Sequence, residues 1–522
     1  MMAEQSYLHL ARAHELKDKK QRFLYRFFEM LPGGLAWLTL IGLVVASRFI
    51  PGPTSIVLII FVIFWFFRTI YFSFHLKSGF DKTRQEQRKN WKQKLEELSF
   101  PRPTLPDITS WRAIWHLIIF PSYREPYEVL RDSCEALKNS GYPLNRIIVV
   151  LALEEREGKI ARAKAERIQE AYKNTFGHLL VTFHSDREGE IAGKGANETY
   201  ACKETIERII KPAAIPYEHI IVSAFDSDTR ATPGFFHCLT YHYLTCEKPL
   251  RSSFQPVPLY TNNIWCAPAI ARVLSFSSTF WQMIQQIRPE ILITYSSHSM
   301  GLAPLVEIGF WQKNVVSEDS RIFYQCFLHF DGDWTVMPIY FPITMDANIA
   351  KTLWQTMKNQ YKQQRRWAYG VENIPYLLFG YTKNKCIPFR KKFLHAWNIV
   401  EGFHSWTTHS IILFVLGWLP IWFGPKDFSF TILSYNLPQI AGLFMRIAML
   451  GILMTAYLAT MLMPPREKKP TVWEKIGFFA QWILSPLALF LSTIPALDAA
   501  TRLMLGKYME FWVTPKQRIE KT

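Results

Sequence analysis

The stretch Ile220-Ile221-Val222-Ser223-Ala224-Phe225-Asp226-Ser227-Asp228 is almost wholly apolar for six residues and then turns acidic. A short apolar run without polar alternation fits a strand buried on both faces. The pattern recurs upstream at 116–120 (HLIIF, closed by Pro121), at 147–153 (IIVVLAL) and at 179–183. Between these runs, 125–139 has helical spacing through Val129, Cys134 and Leu137, while 159–172 and 194–210 read as helices. Strands alternating with helices predict an α/β fold with a mainly parallel sheet covered on both sides. Ligands in such sheets gather at the carboxyl ends of strands, where Asp226 and Asp228 emerge together. Two carboxylates there suit a hard divalent cation that also binds phosphate oxygens. Asp331-Gly332-Asp333 has the same spacing, but it joins two apolar runs and reads as a hairpin turn.

Outside this region the chain of 522 residues looks membrane-bound. Residues 31–50 and 54–76 are each long enough to cross a hydrocarbon layer of about 30 Å. They predict a transmembrane hairpin broken at Pro51-Gly52-Pro53. About thirty mixed residues precede it, so no cleaved signal is expected. Lysines and arginines flank the hairpin on both sides, which places both ends in the cytosol. Downstream, 374–397 reads as an amphipathic segment at the interface, and 407–423 and 435–463 as spans. The basic run 464–469 follows. An apolar segment at 475–493 and a bent hairpin completed at 495–505 would return the chain to the cytosol, as Lys507, Lys516, Arg518 and Lys521 require. Five and six crossings both fit.

The expected order is a cytosolic segment (1–30), the hairpin (31–76), a basic linker (77–110) and an α/β domain (111–373). An interfacial segment (374–403), a membrane region (404–506) and a cytosolic tail (507–522) complete it.

A net charge of +17 raises the question of nucleic acid, but the basic residues cluster beside apolar segments, where anionic lipid is the simpler partner. No nucleic-acid partner is expected. The seven cysteines fall in or beside the middle region without metal-ligand spacing, which suits a reducing compartment and does not indicate zinc. The sequon at Asn197 would go unused there. A transporter is disfavoured by the large soluble domain and by the scarcity of ionisable residues at mid-span. Arg68 is the exception, read as snorkelling or facing neighbouring helices.

Two further runs carry chemical groups. Ser317-Glu318-Asp319 places an acid pair before a predicted strand or helix. Gln363-Gln364-Arg365-Arg366-Trp367 lies in a helical, strongly basic stretch, which by composition alone fits a cationic helix on a membrane surface.

In order, these motifs resemble the membrane glycosyltransferases of family 2, the group of cellulose, chitin and hyaluronan synthases. The resemblance begins at Phe120-Pro121-Ser122-Tyr123-Arg124-Glu125, similar to that family's nucleotide-binding turn. It continues through Gly193-Lys194-Gly195-Ala196-Asn197, the Asp-x-Asp motif at Asp226 and Asp228, the acidic pair at Glu318 and Asp319, and the Gln-x-x-Arg-Trp motif at Gln363, Arg366 and Trp367. Trp512-Val513-Thr514-Pro515-Lys516 resembles a tail found after the last membrane segment.

The resemblance implies a GT-A-like, Rossmann-like cytosolic domain flanked by transmembrane helices, acting at the plasma (inner) membrane. It further implies an inverting transfer from a nucleotide-diphosphate sugar to a saccharide or lipid-linked acceptor. Asp228, with Asp226 on the ribose or the metal, would hold Mg²⁺ or Mn²⁺, and Asp319 would be the general base. Arg366 would hold the diphosphate, and Lys194, Pro121, Tyr123 and Glu125 the nucleotide. Glu318, Gln363 and Trp367 would face the acceptor. At the second strand end, where relatives hold the base with aspartate, Glu154 and Glu155 both stand available. His298 is a candidate acceptor contact in a loop that departs from the family pattern. Polymer extension is the expected outcome; the alternatives are single-sugar transfer to a polyprenyl phosphate or other lipid, and a non-catalytic nucleotide-sugar-binding subunit.

Overall fold

A computed structural model describes residues 6–466 and 471–516. Residues 467–469 of the basic run 464–469, and Arg518 and Lys521 of the tail, lie outside the described residues. Eight strands form one sheet: β1 (Trp115–Ser122), β2 (Ile147–Glu154), β3 (His178–His184), β4 (Ile220–Ala224), β5 (Arg230–Ala231), β6 (Ser252–Leu259), β7 (Ser299–Gly301) and β8 (Thr335–Thr344). Their order is β3-β2-β1-β4-β7-β6-β8-β5. The first four strands are mutually parallel, as the apolar runs predict. Alternate residues of β1 supply opposite cores. Leu117 and Ile119 pack with Ile148, Val150 and Ala201, whereas Ile118 and Phe120 pack with Val149, Cys134 and Phe235.

The sheet is mixed beyond β4. β7 runs antiparallel to both β4 and β6, and β5 runs antiparallel to β8. These strands are difficult to read in sequence because prolines interrupt β6 (Pro256, Pro258) and β8 (Pro338, Pro342), and a register irregularity separates Gln255 from Val257. Pro121 does not end β1, which pairs on with β2 through Ser122. The hairpin expected at Asp331-Gly332-Asp333 is absent. The run before it is the helix Glu318–His329, and Asp331 and Gly332 take positive φ at its end. The Gly332 amide donates to the Phe327 carbonyl, so the turn is a helix stop. All seven cysteines are free thiols.

Among the described residues, four helices are long and apolar enough to cross a membrane: Lys19–Phe49, Pro51–Arg88, Ile432–Leu462 and Val472–Met504. The pair Phe389–Phe414 and Leu416–Phe423, bent by 50°, would be a fifth. No hairpin forms at Pro495. It lies inside the helix Ser485–Met504, where the Ser410 hydroxyl donates to Thr493 and the Thr493 hydroxyl to the Leu489 carbonyl. Such side chains let a membrane helix accommodate proline.

The stretch expected at the interface divides in two. The helix Asn373–Lys383 buries Ile374, Tyr376, Leu377 and Phe379, whereas Phe389, Phe393 and Trp397 form an exposed stacked row. Close packing ties the membrane helices to the sheet domain. A Cβ on Gly79 would stand 2.7 Å from the Met283 carbonyl oxygen, and between two of the long apolar helices one on Gly33 would stand 2.6 Å from that of Ala500.

Arg68 does not snorkel alone. Its guanidinium pairs with Glu401 of the helix Phe389–Phe414, which also accepts from the Ser405 hydroxyl, and it lies over the Trp65 ring. Arg68→Ala strands a carboxylate among apolar helices and is expected to destabilise the protein by about 3 kcal/mol. Thermal unfolding in detergent measures this. Replacing both Arg68 and Glu401 by Leu is expected to recover most of the loss, and an undiminished loss in the double variant would show that the two charges are uncoupled.

Candidate active site

The end of β4 places its acids through a tight turn in which the Thr229 amide donates to the Asp226 carbonyl, 2.8 Å. Asp226 accepts from the Ser296 hydroxyl (2.6 Å) and lies 3.0 Å from the Lys194 ammonium. Asp228 is buried; its Oδ2 accepts from the Asp346 amide (2.9 Å), and its Oδ1 pairs with the Lys516 ammonium. Lys194 opens the helix Lys194–Thr205 and also reaches Asp319 Oδ1 at 2.7 Å and Glu198 at 3.6 Å. One buried lysine therefore joins the β4 acids to the N-terminal turn of the helix Glu318–His329.

Burial sets the electrostatics here. It would raise Asp226, but Lys194, Lys516 and the Ser296 hydrogen bond outweigh it and hold that carboxyl below its usual range. For Asp228 burial prevails over Lys516 and, with Asp346 and Asp226 adding to it, raises the carboxyl to about 6. Burial, then the neighbouring Asp319, raises Glu318 to about 8. Burial works against the Lys194 charge, yet Asp226 and Asp319 keep it firmly protonated.

The Gln-x-x-Arg-Trp residues lie near the end of the helix Leu353–Ala368. Helical spacing puts Gln363, Arg366 and Trp367 on one face, lining the same cavity as Asp226 and Asp228. Trp367 stands 6.2 Å from the Tyr260 ring, and Gln363 accepts from Asn348 at 3.1 Å. The intervening residues face the helix Ser485–Met504. Gln364 accepts from the Ser492 hydroxyl at 3.3 Å, and Arg365 bonds Asp498 at 2.9 Å.

Pro121, Tyr123, Glu125 and Glu154 line the far end of the cavity. Glu154 is buried at the end of β2, with Arg156 at 3.4 Å and lying 4.0 Å over the Tyr123 ring. Glu155 is half-exposed and turned to Arg162. Glu125 folds back to accept from Ser122 and the Tyr123 amide, so it shapes this turn from beneath. Glu318 is also set behind the cavity, its side chain against Gly195. His298 is neither solvated nor in the cavity. It is buried between the Tyr295 carbonyl (3.0 Å) and the Trp311 indole N–H (3.4 Å), and burial lowers it to about 4.

The sequence reading missed the tail's place. Phe511 and residues 513–516 form one wall of the cavity, with Phe511 under the Arg366 guanidinium at 4.8 Å, and Trp512, outside the lining, lies under Lys362 at 5.3 Å. Arg156, Tyr260, Asp346 and Asn348 were likewise unmarked. None stands in a motif that spacing reveals, although the aromatic run before Thr514-Pro515-Lys516 is unlike a solvated terminus.

The donor set fits a hard divalent cation. Asp228 is a buried carboxylate already matched to a positive charge, the Lys516 ammonium, and Asp226 stands beside it. Among the described residues no three His, Cys, Asp or Glu side chains converge as a metal cage. Further ligands for a cation would come from a bound molecule.

No family model matches the sequence, and no curated protein matches it. Among solved structures the chain is similar to the mannosyltransferase PcManGT from Pyrobaculum calidifontis in complex with GDP-Man and Mn²⁺. The identity is 12%, the TM-score 0.40, and the match covers 84% of this chain and 99% of that one. S. aureus TarS 1-349 in complex with UDP-GlcNAc gives 11% identity and a TM-score of 0.36, covering 76% of this chain and 91% of that one. GalNAc-T7 with UDP, GalNAc and Mn²⁺ gives 10% and 0.33, covering 55% and 57%.

Lys516→Ala leaves Asp228 without its buried cation and is expected to lower stability by about 2 kcal/mol in metal-free buffer. The same change is expected to tighten Mn²⁺ binding in isothermal titration. Equal Mn²⁺ affinity in the two proteins would show that lysine and metal do not share Asp228.

Proposed function

We propose that this chain is an inverting membrane glycosyltransferase with a GT-A-like catalytic domain. It would take a nucleotide-diphosphate sugar as donor and a saccharide or lipid-linked molecule as acceptor. One observation carries the reading: separate stretches of chain bring Asp226 and Asp228, Lys194 and the Gln363-Arg366-Trp367 face to line one cavity, and Asp319, which does not itself line it, is held 2.7 Å from the Lys194 ammonium. Basic residues beside the membrane helices support a cytosolic site.

In this reading the nucleoside lies along Pro121, Tyr123 and Glu154, and Asp226 and Asp228 hold Mg²⁺ or Mn²⁺, which when bound neutralises charge on the diphosphate. Arg366 offers a planar pair of N–H donors to the diphosphate, and Lys194 adds a second positive charge. Asp319 accepts the proton of the acceptor hydroxyl. The freed oxygen bonds to the anomeric carbon as the bond to the diphosphate breaks, and the electron pair departs with the diphosphate. Attack opposite the leaving group inverts the anomeric centre without a covalent enzyme intermediate. Trp367, backed by Tyr260, supplies a flat face for the acceptor sugar, which favours repeated extension over a single transfer.

Detergent-purified protein with Mg²⁺ or Mn²⁺ is expected to release nucleoside diphosphate from one member of a donor panel. Asp319→Asn is expected to reduce kcat by about 10²- to 10⁴-fold while leaving nucleotide binding intact. Release at the variant's level from every donor would leave only the non-catalytic binding subunit. Product sizing with Trp367→Ala tests extension: shorter products are expected, and single-sugar products from the unaltered protein would point to lipid-linked transfer.

A further inference from the structure

Asp319 stands in the first turn of its helix, and the serine before it does not cap that helix. Ser317 is at the N-cap position, but its hydroxyl is not bonded to the helix's free amides. It is drawn elsewhere. The Ser317 hydroxyl donates to Glu372 Oε1 at 2.7 Å, and the Val316 and Ser317 amides donate to that same oxygen, both at 2.9 Å. Three donors thus converge on one carboxylate oxygen of a residue that is 7% exposed. Glu372 closes the short turn Tyr369–Glu372, directly after the helix bearing Gln363, Arg366 and Trp367.

The adjoining residue repeats the link. Asn373 accepts from Arg321 Nε at 2.6 Å and donates to the Ser320 hydroxyl at 2.9 Å, and the Glu372 carbonyl accepts from Arg321 Nη2 at 3.1 Å. Arg321 is fully buried and lies 4.0 Å over the Tyr376 ring. Residues on either side of Asp319 are therefore held by Glu372 and Asn373, where the turn after the arginine-tryptophan helix ends and the next helix begins. An ordinary serine cap would stabilise the Glu318–His329 helix by itself but would leave its orientation to that second helix unspecified. The diverted hydroxyl fixes this orientation.

We propose that Glu372 is a positioning residue that sets the Asp319 carboxylate relative to the Arg366-Trp367 face. This rests on Asp319 being the base, as read above. A base must reach the acceptor hydroxyl within hydrogen-bonding distance, and a displacement of about 1 Å can cost roughly 10²-fold in rate. Glu372 itself touches neither the cavity nor the donor's side of it.

Glu372→Ala and Ser317→Ala, each in the full-length protein, test the assignment. Glu372→Ala is expected to lower kcat by tenfold to a hundredfold, with donor KM and nucleoside-diphosphate affinity changed by less than twofold. Ser317→Ala is expected to lower kcat a few-fold, and the double variant to lose no more than Glu372→Ala alone. Amide hydrogen exchange provides a readout independent of turnover: protection at Val316 and Ser317 is expected to fall tenfold or more in Glu372→Ala while that of β1 and β2 is kept. Unchanged kcat in a folded Glu372→Ala protein overturns the proposal, as does unchanged exchange at those two amides. A loss of donor affinity matching the loss of kcat also overturns it, because general disorder of the site would then be the cause. If the unaltered protein releases nucleoside diphosphate from no donor, the transferase reading fails separately, while the exchange measurement still decides whether Glu372 holds this segment.

Discussion

A single buried ammonium, that of Lys194, holds the candidate site together. It stands between Asp226 at the end of β4 and Asp319 at the start of a helix that arrives ninety residues later, with Glu198 of its own helix below. Without this charge, carboxylates from separate elements would face one another in a dry interior, where like charges repel strongly and desolvation favours their neutral forms. The lysine is in turn confined by the opening of its helix, where Gly195 leaves no room for a side chain against the Gln312 carbonyl. Sheet, helix and acid cluster are thus mutually dependent.

The helix Leu353–Ala368 extends this arrangement to the membrane. Its Gln363, Arg366 and Trp367 face the cavity, while Gln364 and Arg365 grip the last membrane helix through Ser492 and Asp498. The five residues of one motif therefore divide between two tasks by helical phase alone. The tail leaves that same membrane helix and returns along the cavity wall, where Phe511 meets Arg366. N-terminal residues complete the frame. Buried Glu29 accepts from the Ala13 amide, from Arg26 and from the Tyr508 hydroxyl, so the segments around Ala13 and Tyr508 are fastened to one another.

The parallel half of the sheet was legible because strands buried on both faces read as unbroken apolar runs. The other half was not, since β6 and β8 carry prolines and β7 has only three residues. Asp331-Gly332-Asp333 misled for a related reason: an apolar run of nine residues is compatible with either a strand or a helix, and only the packing of Phe323 and Phe327 against the core selects the helix. The acids after the end of β4 and at the start of the Glu318–His329 helix were visible through motif order. The tail contributions of Phe511 and Lys516 were not, because nothing in local spacing states that a terminus comes back to a sheet edge. Glu318 carried the right chemical group but is set behind the cavity, and Glu125 lines it while bonded back to Ser122 and the Tyr123 amide, matters of rotamer and burial that sequence does not encode.

The helix Pro51–Arg88 has 38 residues and so runs for about 57 Å, almost twice the thickness of a hydrocarbon layer. Its second half extends past the apolar stretch as a continuous rod and lies against the helix Ala269–Gln286 with no space between Gly79 and the Met283 backbone. A rod of this kind acts as a lever. Where lipid thickness changes, a spanning helix adjusts its tilt, and here the tilt has no flexible joint in which to be absorbed before it reaches the domain carrying β6 and β8. A tilt at one end of this helix is therefore carried to its other end, beside β8.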